Sequence, residues 1–435
     1  MLWSKGRLPN PGTVLVPSHS YARRMLLIFA LVYFFLILFT RWHTFRDPTS
    51  AFFDPSTGYL PAYSTVRFQQ ADRYIEDANL GAAYTQWRAS DNPRMCLGVA
   101  SIARKGARYL RGSVGSMLEG LSEAERANMH LILFIAHTNA SEHSAYSEPW
   151  LHNVADQVLL YNETDIDIHH IHDLETDSAK FFAREKALFD YTYLLKACQA
   201  VNTSIVAMVE DDVLALDGWF HRTLLAVDAA DQMALDKGAS KWLYLRLFYT
   251  EQLLGWNSEE WPAYLFGSIV TVGFVICALL GMRRYQPRTH PMLPDDTILL
   301  LGFVCTPLLI GLYFAAGRVT MRPISPGVHE MSRFGCCSQG FVFPQSRVPD
   351  LIHLYEEKKA GYVDMLTEDF ANANDEIRYA ITPSVLQHVG RKSSKEADWN
   401  STKPKQGITD LWNFAYELND PATLSQEHDA FRGPL

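Results

Sequence analysis

Three consecutive acidic residues, Glu210-Asp211-Asp212, directly follow the apolar segment 205–209. Hard divalent cations prefer oxygen ligands, and three carboxylates at the end of a buried strand would suit such an ion. A solvated turn would also explain these acids, and Asp217 nearby could simply cap a helix. The triplet is therefore a candidate metal site that needs support from other residues.

His388 is a second candidate ligand. It lies in the segment 383–390, next to Gln387 and two residues before Gly390. A histidine in this position could turn into a cleft and add a nitrogen ligand to a metal. A lone histidine after an apolar strand is more often a structural residue, so the pattern leaves both interpretations open.

Charged side chains also occur on the helix predicted before the acidic strand. Arg184 and Lys186 could neutralise a diphosphate, and Asp190 could reach a sugar hydroxyl or the edge of a base. The alternative is an ordinary charged helix face with local ion pairs.

A further group of acids, Asp364, Glu368 and Asp369, lies near a predicted helix start. One of them could act as a general base if an acceptor hydroxyl comes within hydrogen-bond reach. Acids near the beginning of a helix also complement its dipole, which would explain them without any catalytic role.

The elements that must position these residues follow an alternating pattern of strands and helices. This order predicts an open α/β sheet, in which ligands bind beyond the carboxyl ends of the strands. The predicted strands are residues 96–100, 131–135, 158–161 and 205–209, and the predicted helices are 110–121 and 179–200.

Three uncharged apolar segments, residues 25–40, 262–282 and 297–316, predict membrane spans. The first is slightly shorter than the roughly 20 residues of an average span, but the flanking Tyr21, Ala22 and Trp42 can extend it. The first begins after Arg23 and Arg24 and shows no small-residue cleavage site, which favours an uncleaved signal anchor over a cleaved signal peptide. The other two predict a hairpin in the membrane, although a buried core hairpin has the same pattern.

Basic residues orient these spans, because they are enriched on the cytosolic side of membranes. They place the N-terminus and the loop between the second and third spans in the cytosol: Lys5, Arg7, Arg23, Arg24, Arg283, Arg284 and Arg288. Both soluble halves are then lumenal, as are four glycosylation sequons at Asn139, Asn162, Asn202 and Asn400. The predicted organisation is a cytosolic tail (1–22), a signal anchor (23–42), a stem (43–92), a first domain part (93–260), a transmembrane hairpin (261–317) and a second domain part (318–435).

Charge and cysteine content disfavour some classes of function. The formal net charge is −9 and there is no long basic run, which argues against nucleic-acid binding. The six cysteines show no metal-binding spacing. Cys277 and Cys305 lie in apolar segments, while the other four could form disulfides in an oxidising compartment, in a pairing that the spacing does not reveal.

Several motifs occur in the same order as in a known group of enzymes. They resemble metal-dependent inverting transferases of the branch-forming N-acetylglucosaminyltransferase type, which have a GT-A fold. The motifs span residues 97–110, 184–199, 209–213, 337–344, 361–371 and 383–394. A catalytic domain split by a membrane hairpin is more specific, and it resembles the Golgi GPI-N-acetylgalactosamine transferase family, which modifies the glycan of GPI anchors after their attachment to protein.

The resemblance implies a UDP-sugar donor and Mn²⁺. By position, Asp212 would bind the metal, His388 would contact the metal or the diphosphate, and Glu210 and Asp211 would contact the donor sugar or ribose. Residues implied beside the uridine are Ala100, Ser101, Arg104, Arg184, Lys186 and Asp190. Asp364 or Glu368 would be the base. Glu210 departs from the familiar D-x-D motif in a way that this group of transferases tolerates.

The sequence therefore predicts an α/β, GT-A-like domain split by a transmembrane helical hairpin and preceded by an N-terminal anchor. The expected function is metal-dependent, inverting transfer of N-acetylgalactosamine or a related hexose from a UDP-sugar to a lipid-anchored GPI glycan, in the Golgi membrane with a lumenal catalytic domain. An N-glycan branch-type transferase and a non-enzymatic membrane adaptor are the alternatives. The sequence does not specify the donor hexose.

Overall fold

A computed structural model describes residues 20–104, 108–164, 166–176, 180–331, 336–390 and 411–431. The chain forms two compact units. The apolar unit consists of Met1–Leu60 and Glu251–Ile324, and the α/β unit consists of Pro61–Thr250 and Ser325–Leu435. Four sequence predictions lie outside the described residues: the tail residues Lys5 and Arg7, the helix start at Ala179, Ser393-Ser394 of the last motif, and the sequon at Asn400.

Strands and helices are numbered along the chain. The strands are β1 (Met95–Ser101), β2 (Met129–Ile135), β3 (Gln157–Leu159), β4 (Ile205–Glu210), β5 (Val213–Ala215), β6 (Tyr244–Arg246), β7 (Gly327–Glu330), β8 (Gly340–Pro344), β9 (Arg378–Thr382) and β10 (Leu386–His388). The helices are α1 (Ser20–Thr44), α2 (Pro55–Gly58), α3 (Tyr63–Asn79), α4 (Tyr109–Leu118), α5 (Glu123–Ala127), α6 (Pro149–Val154), α7 (Ile168–Thr176), α8 (Lys180–Val201), α9 (Trp219–Asp236), α10 (Trp261–Tyr285), α11 (Asp295–Leu300), α12 (Thr306–Ala315), α13 (Arg318–Met321), α14 (Val348–Lys358), α15 (Val363–Ala373) and α16 (Pro421–Phe431).

The α/β unit contains a mixed sheet with the strand order β3-β2-β1-β4-β8-β6-β9-β7. Strands β3, β2, β1 and β4 are mutually parallel, whereas β8 runs antiparallel to both β4 and β6. The prediction of an α/β sheet is thus confirmed as a mixed sheet rich in parallel pairs. All four predicted strands are present; β3 ends two residues earlier than predicted.

Successive residues of a strand point to opposite faces of a sheet. Because β1, β2 and β4 are apolar at nearly every position, apolar side chains cover both faces of this sheet. Leu97 and Val99 of β1 belong to the core on one face, together with Leu110 and Val114 of α4. The neighbouring Cys96 belongs to the other face, where α8 and α14 pack. A disulfide joins Cys96 to Cys198 and so attaches α8 to β1.

In the apolar unit, each predicted span coincides with a helical segment long and apolar enough to cross a membrane: Tyr21–Thr44, Glu251–Tyr285 and Asp295–Ala315. The last comprises α11, one π-helical turn and α12. These features indicate a membrane protein.

Hydrogen bonds within the apolar unit show how its helices are arranged. The backbone N–H of Ala51, beyond α1, donates to the carbonyl of Ala315 at 2.8 Å. The indole of Trp256, just before α10, donates to the carbonyl of Phe314 at 2.9 Å. The end of α1, the beginning of α10 and the end of α12 therefore share one end of this unit, as expected for an antiparallel hairpin beside α1.

Candidate active site

The carboxyl ends of β1 and β4 bring the first site residues together. These strands are parallel neighbours, and Ala100 is in register with Glu210. The residues that follow them therefore emerge side by side, at the edge of the sheet where α/β proteins bind ligands. The Ser101 hydroxyl donates to Asp211 Oδ2 at 2.5 Å. Ser101, which is predicted to lie beside the uridine, therefore directly contacts the acidic triplet.

Arg104 lies across two of the three acids. Its Nη1 is 2.7 Å from Asp211 Oδ1, and its Nη2 is 3.7 Å from Asp212 Oδ2. Burial raises the pKa of Asp211 to about 6, although Arg104 opposes this shift. Burial acts in the same direction on Asp212, but His388 and Arg104 hold the pKa of that carboxyl below its usual value. The carboxylate that would bind a metal thus stays charged.

His388 lies beside Asp212 because its strand, β10, pairs with β5, the strand that begins directly after Asp212. Strands β5 and β10 are antiparallel, and His388 is in register with Val213, the residue after Asp212. His388 Nδ1 lies 3.0 Å from the carbonyl oxygen of Leu411. A carbonyl only accepts, so Nδ1 carries the hydrogen and Nε2 faces Asp212 Oδ2 at 3.6 Å.

The donor set at Asp212 fits a divalent cation. Asp212 Oδ1 is buried and has no hydrogen-bond partner among the described residues. A buried carboxylate oxygen without a partner is costly unless a charge satisfies it. An imidazole whose Nδ1–H is held by a backbone carbonyl is also the arrangement usual for a metal-binding histidine.

Backbone packing fixes this pair of side chains. The N–H of Val389 donates to the carbonyl of Asp212 at 2.8 Å. At Gly390, a Cβ atom would lie 2.2 Å from Asp212 Oδ2 and 2.8 Å from His388 Nε2. Only glycine can occupy this position without moving the carboxylate or the imidazole.

Glu210, the first acid of the triplet, contacts the short loop of residues 336–338, and the same loop hydrogen-bonds Asp364. Glu210 accepts a hydrogen bond from the Ser338 hydroxyl at 2.5 Å. The adjacent backbone N–H of Cys337 donates to Asp364 Oδ2 at 3.1 Å. A disulfide joins Cys337 to its neighbour Cys336. This loop therefore brings one of the two predicted bases close to the acidic end of β4.

Glu368, the other predicted base, has a different environment. Arg246 binds its Oε1 at 2.7 Å, and Arg378 binds its Oε2 at 2.7 Å. The Tyr244 hydroxyl also donates to Oε1. Because both carboxylate oxygens are engaged by arginines, Glu368 is far less suited than Asp364 to accept a proton from a substrate.

Lys186 and Asp190 contact each other rather than the acidic triplet. The Lys186 ammonium lies 2.8 Å from Asp190 Oδ2 and donates to the carbonyl of Ala136 at 2.9 Å. Ala136 follows β2 and bonds to the carbonyl of Ser101, so the pair lies beside the same sheet edge. Arg184 is exposed, with its guanidinium 5.1 Å from the centre of the Tyr362 ring.

One residue that sequence reasoning missed is His143. The backbone N–H of Ala145 donates to His143 Nδ1 at 3.2 Å, which leaves the hydrogen on Nε2. Nε2 is 3.0 Å from the Ser101 oxygen, whose own hydrogen goes to Asp211. Burial lowers the pKa of His143 to about 4, consistent with this neutral tautomer. His143 lies in a loop without periodicity, and only its position after β2 could have indicated a role.

A cavity of about 350 Å³ opens beside these residues. Its walls combine cationic, aromatic and acidic side chains, including Ser101, Arg104, Arg108, Tyr109, Arg111, His143, Glu148 and Asp211. Cationic groups next to an aromatic ring suit a molecule with both phosphate groups and a flat base. The cavity is adjacent to Asp211, at the carboxyl edge of the sheet.

A mixed α/β unit with this site, in a chain with apolar helices of spanning length, is typical of a membrane-associated enzyme. The family model described as GPI-N-acetylgalactosamine transferase PGAP4 matches residues 95–387, about two thirds of the chain. The chain therefore belongs to this family and is a glycosyltransferase of GPI glycans. A search of curated proteins finds no individual match.

Proposed function

We propose that the chain transfers N-acetylgalactosamine, or a related hexose, from a UDP-sugar to the glycan of GPI anchors by a metal-dependent, inverting reaction on a GT-A-type fold. The observation that carries the metal dependence is the buried Asp212, with one oxygen unpartnered among the described residues and His388 Nε2 3.6 Å from the other. Manganese is the ion we assign, held by Asp212 with His388 as its neighbour or ligand.

The bound cation would stabilise the negative charge that develops on the departing diphosphate. Arg104 supplies a fixed positive charge next to both aspartates, at the mouth of the cavity. Ser101 is hydrogen-bonded to both Asp211 and His143, so these three residues would form a fixed wall for the nucleoside. Glu210 would contact the donor sugar or the ribose.

Asp364 is the base that we assign. Its carboxylate removes the proton of the acceptor hydroxyl, whose oxygen attacks the anomeric carbon as the bond to UDP breaks on the opposite face. The configuration at the anomeric carbon inverts, and UDP leaves with the bonding electron pair. The support for Asp364 is its position beside the loop that binds Glu210, together with the engagement of Glu368 by two arginines.

The donor assignment is tested with the purified full-length chain in detergent and four donors: UDP-N-acetylgalactosamine, UDP-galactose, UDP-N-acetylglucosamine and UDP-glucose. We expect Mn²⁺-dependent release of UDP, fastest with the first donor, and loss of release on chelation. Equal release with and without divalent ions would refute the metal assignment. A preference for UDP-N-acetylglucosamine with N-glycan acceptors would instead support the branch-type alternative.

In the proposed topology, α1 is the signal anchor of a Golgi enzyme. Residues 261–317 form a transmembrane hairpin that separates the two parts of the lumenal domain in the sequence. Basic residues at the beginning of α1 and at the end of α10 support this orientation. Protease treatment of sealed vesicles tests it: we expect cleavage only in the N-terminal tail and in the loop around Arg288, and cleavage near Asp375 without detergent would contradict the orientation.

The hairpin is proposed to present lipid-anchored acceptors, because confinement to the same bilayer raises their effective concentration. Replacement of residues 262–316 by a short soluble linker should leave donor hydrolysis and transfer to a detached glycan nearly unchanged. Transfer to a membrane-held GPI acceptor should fall. Equal activity on both acceptors in a folded linker variant would rule out this role, whereas loss of folded protein would show that the hairpin completes the fold.

A further inference from the structure

A second cluster of metal-ligating side chains lies at the other edge of the sheet. It consists of Glu125, His221 and His428, which come from α5, α9 and α16. Helix α5 ends just before β2 begins, so the cluster is near the starting ends of the parallel strands, away from Asp212. One ligand atom from each residue lies within 4.8 Å of the others. All three residues are buried, with 3% or less of their surface exposed.

Two of the three side chains are oriented by partners outside the cluster. His428 Nδ1 is 2.6 Å from Asp217 Oδ1, which turns Nε2 toward Glu125. Glu125 Oε2 accepts from the backbone N–H of Ser122 at 2.9 Å, within a capping box at the start of α5. His428 Nε2 and Glu125 Oε1 then lie 3.0 Å apart. A carboxylate behind a histidine is the usual support for a metal-bound imidazole.

His221 differs from the other two members in its hydrogen bonding. Both of its ring nitrogens are buried, and neither makes a hydrogen bond within the described part of the chain. Glu427 Oε1 lies 3.6 Å from Nε2, beyond hydrogen-bond distance, and Arg222 already holds Glu427 through two hydrogen bonds. The ring stacks on Phe431 at 4.5 Å. A buried imidazole with two unsatisfied nitrogens is energetically costly, and a bound ion would offset that cost by taking one of the nitrogens as a ligand.

We propose that Glu125, His221 and His428 bind a Zn²⁺ ion, with Glu125 Oε1, His428 Nε2 and one His221 nitrogen as ligands and water in the fourth position. Two imidazoles and one carboxylate suit zinc, whereas an all-oxygen set would favour magnesium or calcium. Side-chain adjustment within the present spacing brings these atoms to bonds of about 2.0–2.2 Å. The ion would attach the C-terminal helix α16 to α5 and α9 and would have a structural role. This site is independent of the proposed function.

The test uses the full-length chain in detergent, stripped with a chelator, equilibrated with Zn²⁺ alone and desalted before elemental analysis. We expect about one tightly held zinc per wild-type chain. His221→Phe keeps the stacking on Phe431 but removes both nitrogens, and its retained zinc should fall at least about tenfold. His169→Phe, at an exposed position, is the matched control and should retain zinc. Asp212→Asn should also retain it, which separates this ion from the one at the active site.

Co²⁺ provides a measurement that needs no variant. The stripped wild-type chain should develop the visible absorption bands of a tetrahedral Co²⁺ site, and Zn²⁺ should abolish them. The unfolding temperature of the wild type should also rise with Zn²⁺, and that of His221→Phe should not. A folded wild-type chain that holds no zinc at micromolar free Zn²⁺ would overturn the proposal, and the cluster would then be a protonated His428 between Asp217 and Glu125. Equal zinc retention by wild type and His221→Phe would overturn it as well.

Discussion

Two buried carboxylates of the α/β unit, Asp212 and Glu368, are surrounded by similar residue types but differ in what their oxygens contact. Both oxygens of Glu368 are engaged, one by Arg246 and Tyr244 and the other by Arg378. Asp212 has an arginine and a histidine beside one oxygen, while the other has no partner within the described residues. A fully paired acid holds the fold together, whereas an acid with an unsatisfied oxygen can bind a ligand.

The largest effect should follow from Asp212→Asn. The amide keeps the shape of the side chain but loses the charge that holds the cation, so transfer should fall by about 10²–10³-fold or more. Rates measured at limiting Mn²⁺ check this, with Asp236→Asn on the exposed face of α9 as the control. Near wild-type activity at limiting Mn²⁺ would show that Asp212 is not the ligand.

Asp364→Asn should come next, with transfer reduced by roughly 10²-fold, because a general base contributes about 10²–10⁴. Donor binding and the unfolding temperature should change little. Asp369→Asn is the matched control, since Asp369 lies on the same helix but is exposed. If Asp364→Asn keeps full activity per folded molecule, another group is the base.

Glu368→Gln tests whether the fully paired carboxylate stabilises the fold and does not act in catalysis. It removes the charge that Arg246 and Arg378 share, and breaking such a buried pair costs about 3–5 kcal/mol of folding free energy. We expect a clear loss of stability in denaturant unfolding, but transfer per folded molecule within about threefold of wild type. A stable protein with abolished transfer would instead make Glu368 the catalytic acid–base residue.

Gly390→Ala should weaken the metal site without touching a ligand. The new Cβ would collide with Asp212 Oδ2 and His388 Nε2, so one of them must move. The affinity for Mn²⁺ should fall by about tenfold, the lower end of the effect of disturbed supporting groups. Transfer at saturating Mn²⁺ should recover most of the loss; titration of transfer against Mn²⁺ measures both. Gly255→Ala, at a glycine where a new Cβ would meet no atom within 4 Å, is the control for a glycine substitution.

The smallest effect concerns the pH dependence of stability at His143. Its pKa is about 4 in the folded protein, below the ordinary value of 6.5. The unfolded chain therefore binds a proton more readily, and the stability that neutral His143 contributes is present above pH 6.5 and is lost as pH falls toward 4. His143→Gln, which does not titrate, should lose less stability than wild type over this range. Parallel pH profiles of the two proteins would show that folding does not lower the pKa of His143.

The parallel part of the sheet and the acidic triplet could be predicted from sequence because local patterns encode them. Apolar runs predicted β1, β2 and β4. The acids at the end of β4 predicted that the candidate site lies at the carboxyl edge of the sheet. The role of His143 could not be predicted, because it depends on a loop that folds back onto Ser101. The different environments of Asp364 and Glu368 also depend on distant partners, Cys337 for one and Arg246 with Arg378 for the other.

The strand order of the sheet determines when the α/β unit can form during synthesis. Strand β8 lies between β4 and β6 but is translated after both of them and after the apolar helices α10–α12. Until β8 has been translated, one side of β4 has no strand to pair with, and β6 has no partner on either side because its other neighbour, β9, comes later still. Such open edges promote aggregation. Strand β8 therefore joins the two parts of the sheet only after the last apolar helix has been translated, so the first segment of the α/β unit is the part of the nascent chain with the longest-exposed strand edges.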